Sequence, residues 1–191
     1  FVSFTLSTFY LDFTKDILYI EKADSLVRRS VQTVLYNILS SEIRLLAPIL
    51  PYTSEEVYKL LSNELESVHL TEMPEYKHYD DEKEIILVFA DFFELKAKVY
   101  KELEEARNNK VIGSSLEAEV KLNLSDKYDN VKDLLGKYLH QLLIVSKITY
   151  SKDGKEVKVV KHQGQKCERC WNYVDHIEDG ICDRCREVIS K

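Results

Sequence analysis

No cysteine precedes Cys167 in this 191-residue sequence, and no stretch of it approaches the roughly 18 uninterrupted apolar residues of a membrane span. A basic leader with an apolar core and a small-residue cleavage site is also missing, so no secretory signal is read. Internal repeats and low-complexity tracts are lacking, which excludes a solenoid or a compositional linker. There is no basic surplus either: the formal net charge is −6, which does not by itself advertise a nucleic-acid partner. The chain opens on Phe1 inside a run of helical character, as expected of a piece of a longer polypeptide.

What is present begins with the placement of charge. Residues 64 to 84 hold eight acids (Glu64, Glu66, Glu72, Glu75, Asp80, Asp81, Glu82, Glu84) against Lys77 and Lys83, which accounts for the whole deficit. The remainder is neutral and permissive for RNA. At 45% hydrophobic the composition suits a buried core in at least part of the chain.

Hydrophobic periodicity then divides the chain. Phe9, Phe13 and Ile17 recur at helical spacing, with Tyr10 and Leu18 beside them. Asp24 or Ser25 offers an N-cap for a long second helix carrying Val31, Val34, Leu35, Ile38, Leu45, Leu46 and Ile49, ended by Pro48 and Pro51. Thr53 with Glu56 reads as a capping box opening a third helix, with Val57, Leu60 and Leu61 on its buried face. These three helices, residues 1–64, are expected to form part of an antiparallel bundle. Residues 65–81 read as an acidic, irregular connector.

A fourth helix is expected on Ile85, Val88, Phe89, Phe92, Phe93, Val99, Leu103 and Ala106, stopped by Gly113 after Asn108 and Asn109. Ala118, Val120, Leu122 and Leu124 alternate with polar residues, the period of a half-buried strand. Residues 126–140 read as helix, 142–150 as a second strand, and 155–161 as a third after a turn at Asp153-Gly154. Residues 82–160 are thus expected to form a small α/β unit, and 161–191 a separate module. The fold class is mainly α with this α/β spacer and a cysteine-rich tail.

Cys167 and Cys170 are two residues apart, as are Cys182 and Cys185, and eleven residues separate the pairs. Each Cys-x-x-Cys turn aims two thiolates at one point, and two such turns complete a tetrahedron around Zn²⁺ at about 2.3 Å. Gln163-Gly164 and Asp179-Gly180 supply the preceding turns. Four thiolates close the coordination sphere, so the expected zinc is structural, in a reducing compartment. Iron suits the same ligands, and a disulfide pair or a redox dithiol would leave a tail of about 30 residues too poor in core to fold. His176, between the pairs, reads as a surface histidine.

Trp171 follows Cys170 directly, with Lys166 and Arg169 on the same knuckle. An exposed indole there would stack on a base while the cations meet phosphates; alternatively Trp171 packs over the metal as core. Arg107, Lys110, Asn108 and Asn109 sit at a helix end, where the dipole alone favours cations. Paired catalytic carboxylates and a serine partnered by histidine are not found, so no active site is expected.

FYLDFTKDILY (9–19), DSLVRRSVQTVLYNIL (24–39), LLAPILPYTSEEVY (45–58), LEEARNNKVIGSSLEAEV (103–120) and CERCWNY (167–173) resemble successive stretches of the C-terminal part of bacterial-type isoleucyl-tRNA synthetase. Valine and leucine synthetases share the bundle motif. The resemblance implies a non-catalytic region gripping the anticodon arm of tRNA(Ile): residues 1–64 an anticodon-binding bundle, the α/β unit a spacer, the zinc module a cover for the anticodon loop. ATP and Mg²⁺ would serve only the catalytic domain elsewhere in the parent chain, whose HIGH-like and KMSKS-like signatures are not here. It further implies a cytoplasmic monomer without membrane contact. Arg28 and Arg29 match the family's paired arginines and are candidate RNA contacts, unless one pairs with Asp16 or Asp12; Lys15 and Tyr10 are weaker candidates. The rival readings are a zinc-ribbon protein-interaction adaptor and an independent redox enzyme.

Overall fold

A computed structural model of the chain describes residues 1–61, 65–152 and 154–190. The expected boundary at residue 64 and the Asp153 half of the expected turn fall outside the described residues. The fold is mainly helical with a small sheet, and it divides into two compact units, Phe1–Lys22 with Asp80–Lys191, and Ala23–Tyr79.

In the larger unit, a π-helical run Val2–Tyr10 leads into α1 (Leu11–Ile20). Helix α4 (Glu82–Asn108) is the long axis of the core. Its buried residues Val88, Phe92, Leu95, Val99, Leu103 and Ala106 lie on one stripe at three-four spacing. Leu95, fully buried, was missing from the expected face, whereas Ile85 and Phe93 are partly exposed at its rim. Phe9 enters this core, with ring centroids 5.7 Å from Phe92 and 5.0 Å from Phe93. Packing therefore places α1 with the α/β elements, whereas the expected division of the chain follows sequence character and grouped it with the second and third helices.

The helix α4 ends without help from Gly113. Lys110 takes the left-handed conformation (φ 57°) and the Val111 N–H donates to the Ala106 carbonyl at 2.9 Å, a Schellman-type closure. Strand β1 (Ala118–Leu122) is central in a three-stranded sheet, parallel to β2 (Lys147–Tyr150) and antiparallel to β3 (Val157–Lys161). Its inward residues Ala118, Val120 and Leu122 are fully buried, as the alternation required. The expected helix 126–140 is broken into short turns around α5 (Asp129–Leu135) and α6 (Leu139–Leu142). The second strand accordingly starts five residues later than expected, at Lys147.

In the smaller unit, α2 (Leu26–Leu46) starts after Ser25, though the Ser25 side chain makes no capping bond. Helix α3 (Pro51–Lys59) starts at Pro51, not Thr53; proline at the first helical position lacks only an N–H that would be unsatisfied anyway. Ile43, Ala47, Tyr58 and Val68 form this unit's core, with Val57 and Leu61 against it. Val34, Leu45, Leu46, Ile49 and Leu60, expected to be buried, are exposed. Part of the expected irregular connector is built in: a turn at Val68–Leu70 buries Val68, and Glu55 accepts from Ser67 Oγ at 2.8 Å and from the Val68 N–H at 3.0 Å. The Ser67 bond leads in holding the Glu55 carboxyl below its usual range.

Candidate metal centre and its surroundings

The last module is a pair of turns facing one another. Strands β4 (Gln165–Lys166) and β5 (Tyr173–Val174) form a minimal antiparallel hairpin whose tip, residues 167–172, is the first knuckle. The Cys167 N–H donates to the Asn172 carbonyl and the Trp171 N–H to the Cys167 carbonyl, both at 2.9 Å. The second turn is a two-residue hairpin: Glu178 and Ile181 exchange both backbone bonds at 3.1 Å across Asp179 (φ 53°) and Gly180 (φ 79°). Positive φ at both central residues matches the twist of the flanking chain, which is why an Asp-Gly pair serves there. Cys182 then caps α7 (Asp183–Ile189), which carries Cys185.

Gly164 is required by close approach: a Cβ there would lie 2.1 Å from the Val174 carbonyl oxygen. Beside it His162 is buried, and its Nδ1 accepts from the Gly164 N–H at 2.8 Å. His176 is exposed and sits 3.5 Å from Asp183, away from the ligand role.

The four sulfurs of Cys167, Cys170, Cys182 and Cys185 lie within 4.8 Å of one another. Cys170 and Cys182 are 3.8 Å apart, close to the roughly 3.8 Å edge of a tetrahedron with metal–sulfur bonds of about 2.3 Å. The chain thus brings together all four expected ligands, unbridged by disulfides, in a geometry that fits one tetrahedral ion. Burial pushes the Cys170 and Cys185 thiols up. Burial also opposes ionisation of Cys167, but N–H groups of Cys170, Cys182 and Arg169 aimed at its sulfur outweigh it and bring it down to about 6. A bound cation would supply the charge that makes the remaining thiolates tolerable.

The module is seated on α1. Ile20 is buried against Cys167, Cys182 and Cys185. Arg169 donates to the Ile20 carbonyl at 2.8 Å and approaches Cys185 Sγ at 3.6 Å. Arg184, which sequence reasoning passed over, donates to Asp16 and Glu21 at 2.7 Å each, and Gln141 donates to Asp16 at 2.9 Å. No periodicity distinguishes Arg184 from Arg186 on a two-turn helix, so nothing local could have revealed it. Lys15 pairs with Asp12 at 2.8 Å. Asp12 is thus held by Lys15, and Asp16 by Arg184 and Gln141. Arg28 is half-buried and Arg29 exposed near the start of α2.

Trp171 is 62% exposed, so it is not the module's core. It holds φ 64°, a left-handed conformation costly for a bulky residue. The Lys166 ammonium lies 5.6 Å from its ring centre. A cavity of about 480 Å³ opens beside it, lined among others by Phe13, Tyr19, His140, Arg169 and Arg184.

Residues 1–122 match the family model described as the anticodon-binding domain of tRNA ligase. The chain belongs to that family. Over its whole length it is 47% identical to the isoleucine–tRNA ligase of Staphylococcus carnosus (strain TM300), 44% to that of Staphylococcus epidermidis, and 41% to isoleucine–tRNA ligase 1 of Oceanobacillus iheyensis. The chain spans 22% of the length of each of these relatives. The anticodon-binding family match ends at β1, so the cysteine module lies beyond it and is covered by the relatives alone. No helix among the described residues is long and apolar enough to cross a membrane.

Proposed function

We propose that this chain is the non-catalytic tRNA-recognition region of an isoleucine–tRNA ligase. It would grip the anticodon arm of tRNA(Ile) while a catalytic domain elsewhere in the longer protein uses ATP and Mg²⁺ to aminoacylate it. The observation that carries this reading is the anticodon-binding family match over residues 1–122, continued to the last residue by relatives named isoleucine–tRNA ligase. In this reading residues 1–64 serve the anticodon, 65–81 connect, 82–160 act as spacer, and 161–191 cover the loop. The working protein is a cytoplasmic monomer.

The module's ion is structural Zn²⁺, held by Cys167, Cys170, Cys182 and Cys185. The RNA contacts are Trp171, Lys166 and Arg169 on the knuckle, with Arg28, Arg29 and Lys15 on the helices. The exposure of Trp171, its cationic neighbour and the adjoining cavity support base stacking there. Of these residues, Arg169 also carries the bond to Ile20, so its removal would disturb the knuckle as well as any phosphate contact.

The test is a titration of the chain with tRNA(Ile) and a non-cognate tRNA across salt concentrations. Affinity that falls with log salt is expected. No binding of either tRNA at low salt would defeat the reading. Metal analysis of the purified chain should find one zinc per chain, and iron in its place would overturn the zinc assignment.

A further inference from the structure

Away from the knuckle, a cavity of about 570 Å³ opens where the C-terminal half of α4 meets the β1–β3 edge. Lys121 and Lys158 line it and are direct cross-strand partners in the antiparallel β1–β3 ladder. Like charges placed opposite one another in a ladder destabilise it, and an intervening anion relieves them. Lys155 joins them from the chain leading into β3, and Glu102 and Glu105 of α4 line the same cavity. Three ammonium groups and two carboxylates therefore share one cavity without neutralising one another. Among the described residues, Lys155, Lys158, Glu102 and Glu105 have no ion-pair partner, and Lys121 only reaches Glu119, at 4.0 Å.

We propose that this cavity holds a ribose–phosphate unit of an RNA backbone. The inference rests on the tRNA-binding reading and adds to it a second contact site, remote from the metal centre. Lys121, Lys158 and Lys155 meet the phosphate oxygens as point charges. Glu102 and Glu105 accept from the ribose hydroxyls, the 2′-OH in particular, which is the group that distinguishes RNA from DNA. A site of lysines alone would hold any polyanion. The carboxylates repel a bare phosphate chain, so the mixed lining favours a sugar that can donate to them. All five side chains stand on α4, β1, β3 or the chain entering β3, a framework fixed by the buried Val120, Leu122 and Val157.

The experiment uses the full chain in three forms: unaltered, with Lys121→Gln and Lys158→Gln together, and with Glu102→Gln and Glu105→Gln together. Each is titrated over a salt series with tRNA(Ile) and with an all-deoxy copy of the same sequence. The lysine pair is expected to flatten the slope of log K against log salt by about 1 to 2. The glutamate pair is expected to weaken tRNA binding several-fold while tightening binding of the deoxy copy, which loses the repulsion and has no 2′-OH to lose. Circular dichroism of each variant should match the unaltered chain, since the side chains are exposed or half-buried. If the unaltered chain binds no tRNA, the underlying reading falls and this proposal with it. If it binds, but the lysine pair leaves the slope unchanged or the glutamate pair tightens tRNA binding, the proposal alone is overturned.

Discussion

Arg184 on the last helix and Asp16 on the first are 2.7 Å apart, and the same guanidinium group reaches Glu21 at 2.7 Å. This pairing joins the two extremes of the larger unit's sequence. The guanidinium is partly buried, with one-third of its side chain exposed. Removing it leaves two half-buried carboxylates facing one another. Arg184→Met is therefore expected to destabilise the unit by about 1–3 kcal/mol, read as a lowered denaturation midpoint with the metal bound. In a double-mutant cycle, Arg184→Met with Asp16→Asn should be less damaging than the sum of the two single changes. Strict additivity would mean the pair is incidental.

Loss of the metal should not stop at the module. Cys182→Ser removes one of four ligands and is expected to release the ion and unfold residues beyond about 160. Because Ile20 packs on the cysteines and Arg169 bonds the Ile20 carbonyl, the last turn of α1 should loosen too. The core around Phe92, Leu95 and Val120 has no such dependence. Hydrogen exchange would check this: protection is expected to fall at residues 17–20 and after 160, and to persist in α4 and β1. Unchanged protection at residues 17–20 would count against the coupling.

These two couplings mark the limit of what the sequence discloses. The alternation Ala118, Val120, Leu122 discloses a strand because a half-buried strand writes its own period of two into the chain. The strand's neighbours are a matter of long-range pairing, and that β2 joins it parallel and β3 antiparallel has no local signature. The cysteine spacing was legible for a geometric reason, since each two-residue gap constrains two sulfurs to one side. Pro51 as a helix start was legible and misread, because the Thr53–Glu56 pattern suggested a cap two residues downstream. The seat of the module on α1 was not legible, since Arg184 and Asp16 are separated by 168 residues.

Gly164→Ala should damage the module without touching a ligand. The added methyl would stand 2.1 Å from the Val174 carbonyl oxygen and 2.7 Å from the buried His162 ring. Both neighbours are fixed, one by the β4–β5 pairing and the other by burial, so the hairpin must open. A cost of about 1–3 kcal/mol, of the size of other overpacked sites, is expected, seen as weakened metal retention against a chelator. Gly154→Ala, where nothing lies within 4 Å of the new methyl, is the control for steric crowding, though its φ of 98° carries backbone strain. Retention equal to that of the unaltered chain in Gly164→Ala would refute the crowding argument.

Acid should weaken the contact where α4 meets the turn before α5. Hydrogen bonds from Lys127 and then Tyr128 bring the Glu94 carboxyl from 4.5 down to about 2. A carboxyl depressed in the folded state contributes stability that is fully present above its unfolded value. That stability is lost as pH falls through the folded one. The contribution of Glu94 is thus expected to fade between pH 4.5 and about 2, and to be small because the group is solvent-exposed. Glu94→Gln should flatten the acid limb of the stability profile in that window and leave stability above pH 6 only slightly lower. An identical acid limb in the variant would rule Glu94 out as a contributor.

Trp171 separates structure from function most sharply. A left-handed backbone conformation at a non-glycine residue costs on the order of 1–3 kcal/mol, and Trp171 adopts it at φ 64° with its ring 62% exposed. With the ring so exposed, packing does not explain a tryptophan there, and a platform for a base is the role proposed for it. Trp171→Gly is expected to relieve the backbone and hold the metal at least as firmly as the unaltered chain. It should also weaken tRNA binding by about 5- to 150-fold, the worth of one stacked base. Trp171→Ala should lose the same binding without the backbone gain. Metal retention against a chelator and tRNA affinity, measured on both variants, give four numbers. If glycine loses the metal as readily as it loses tRNA, the indole is holding the knuckle together and the stacking role fails.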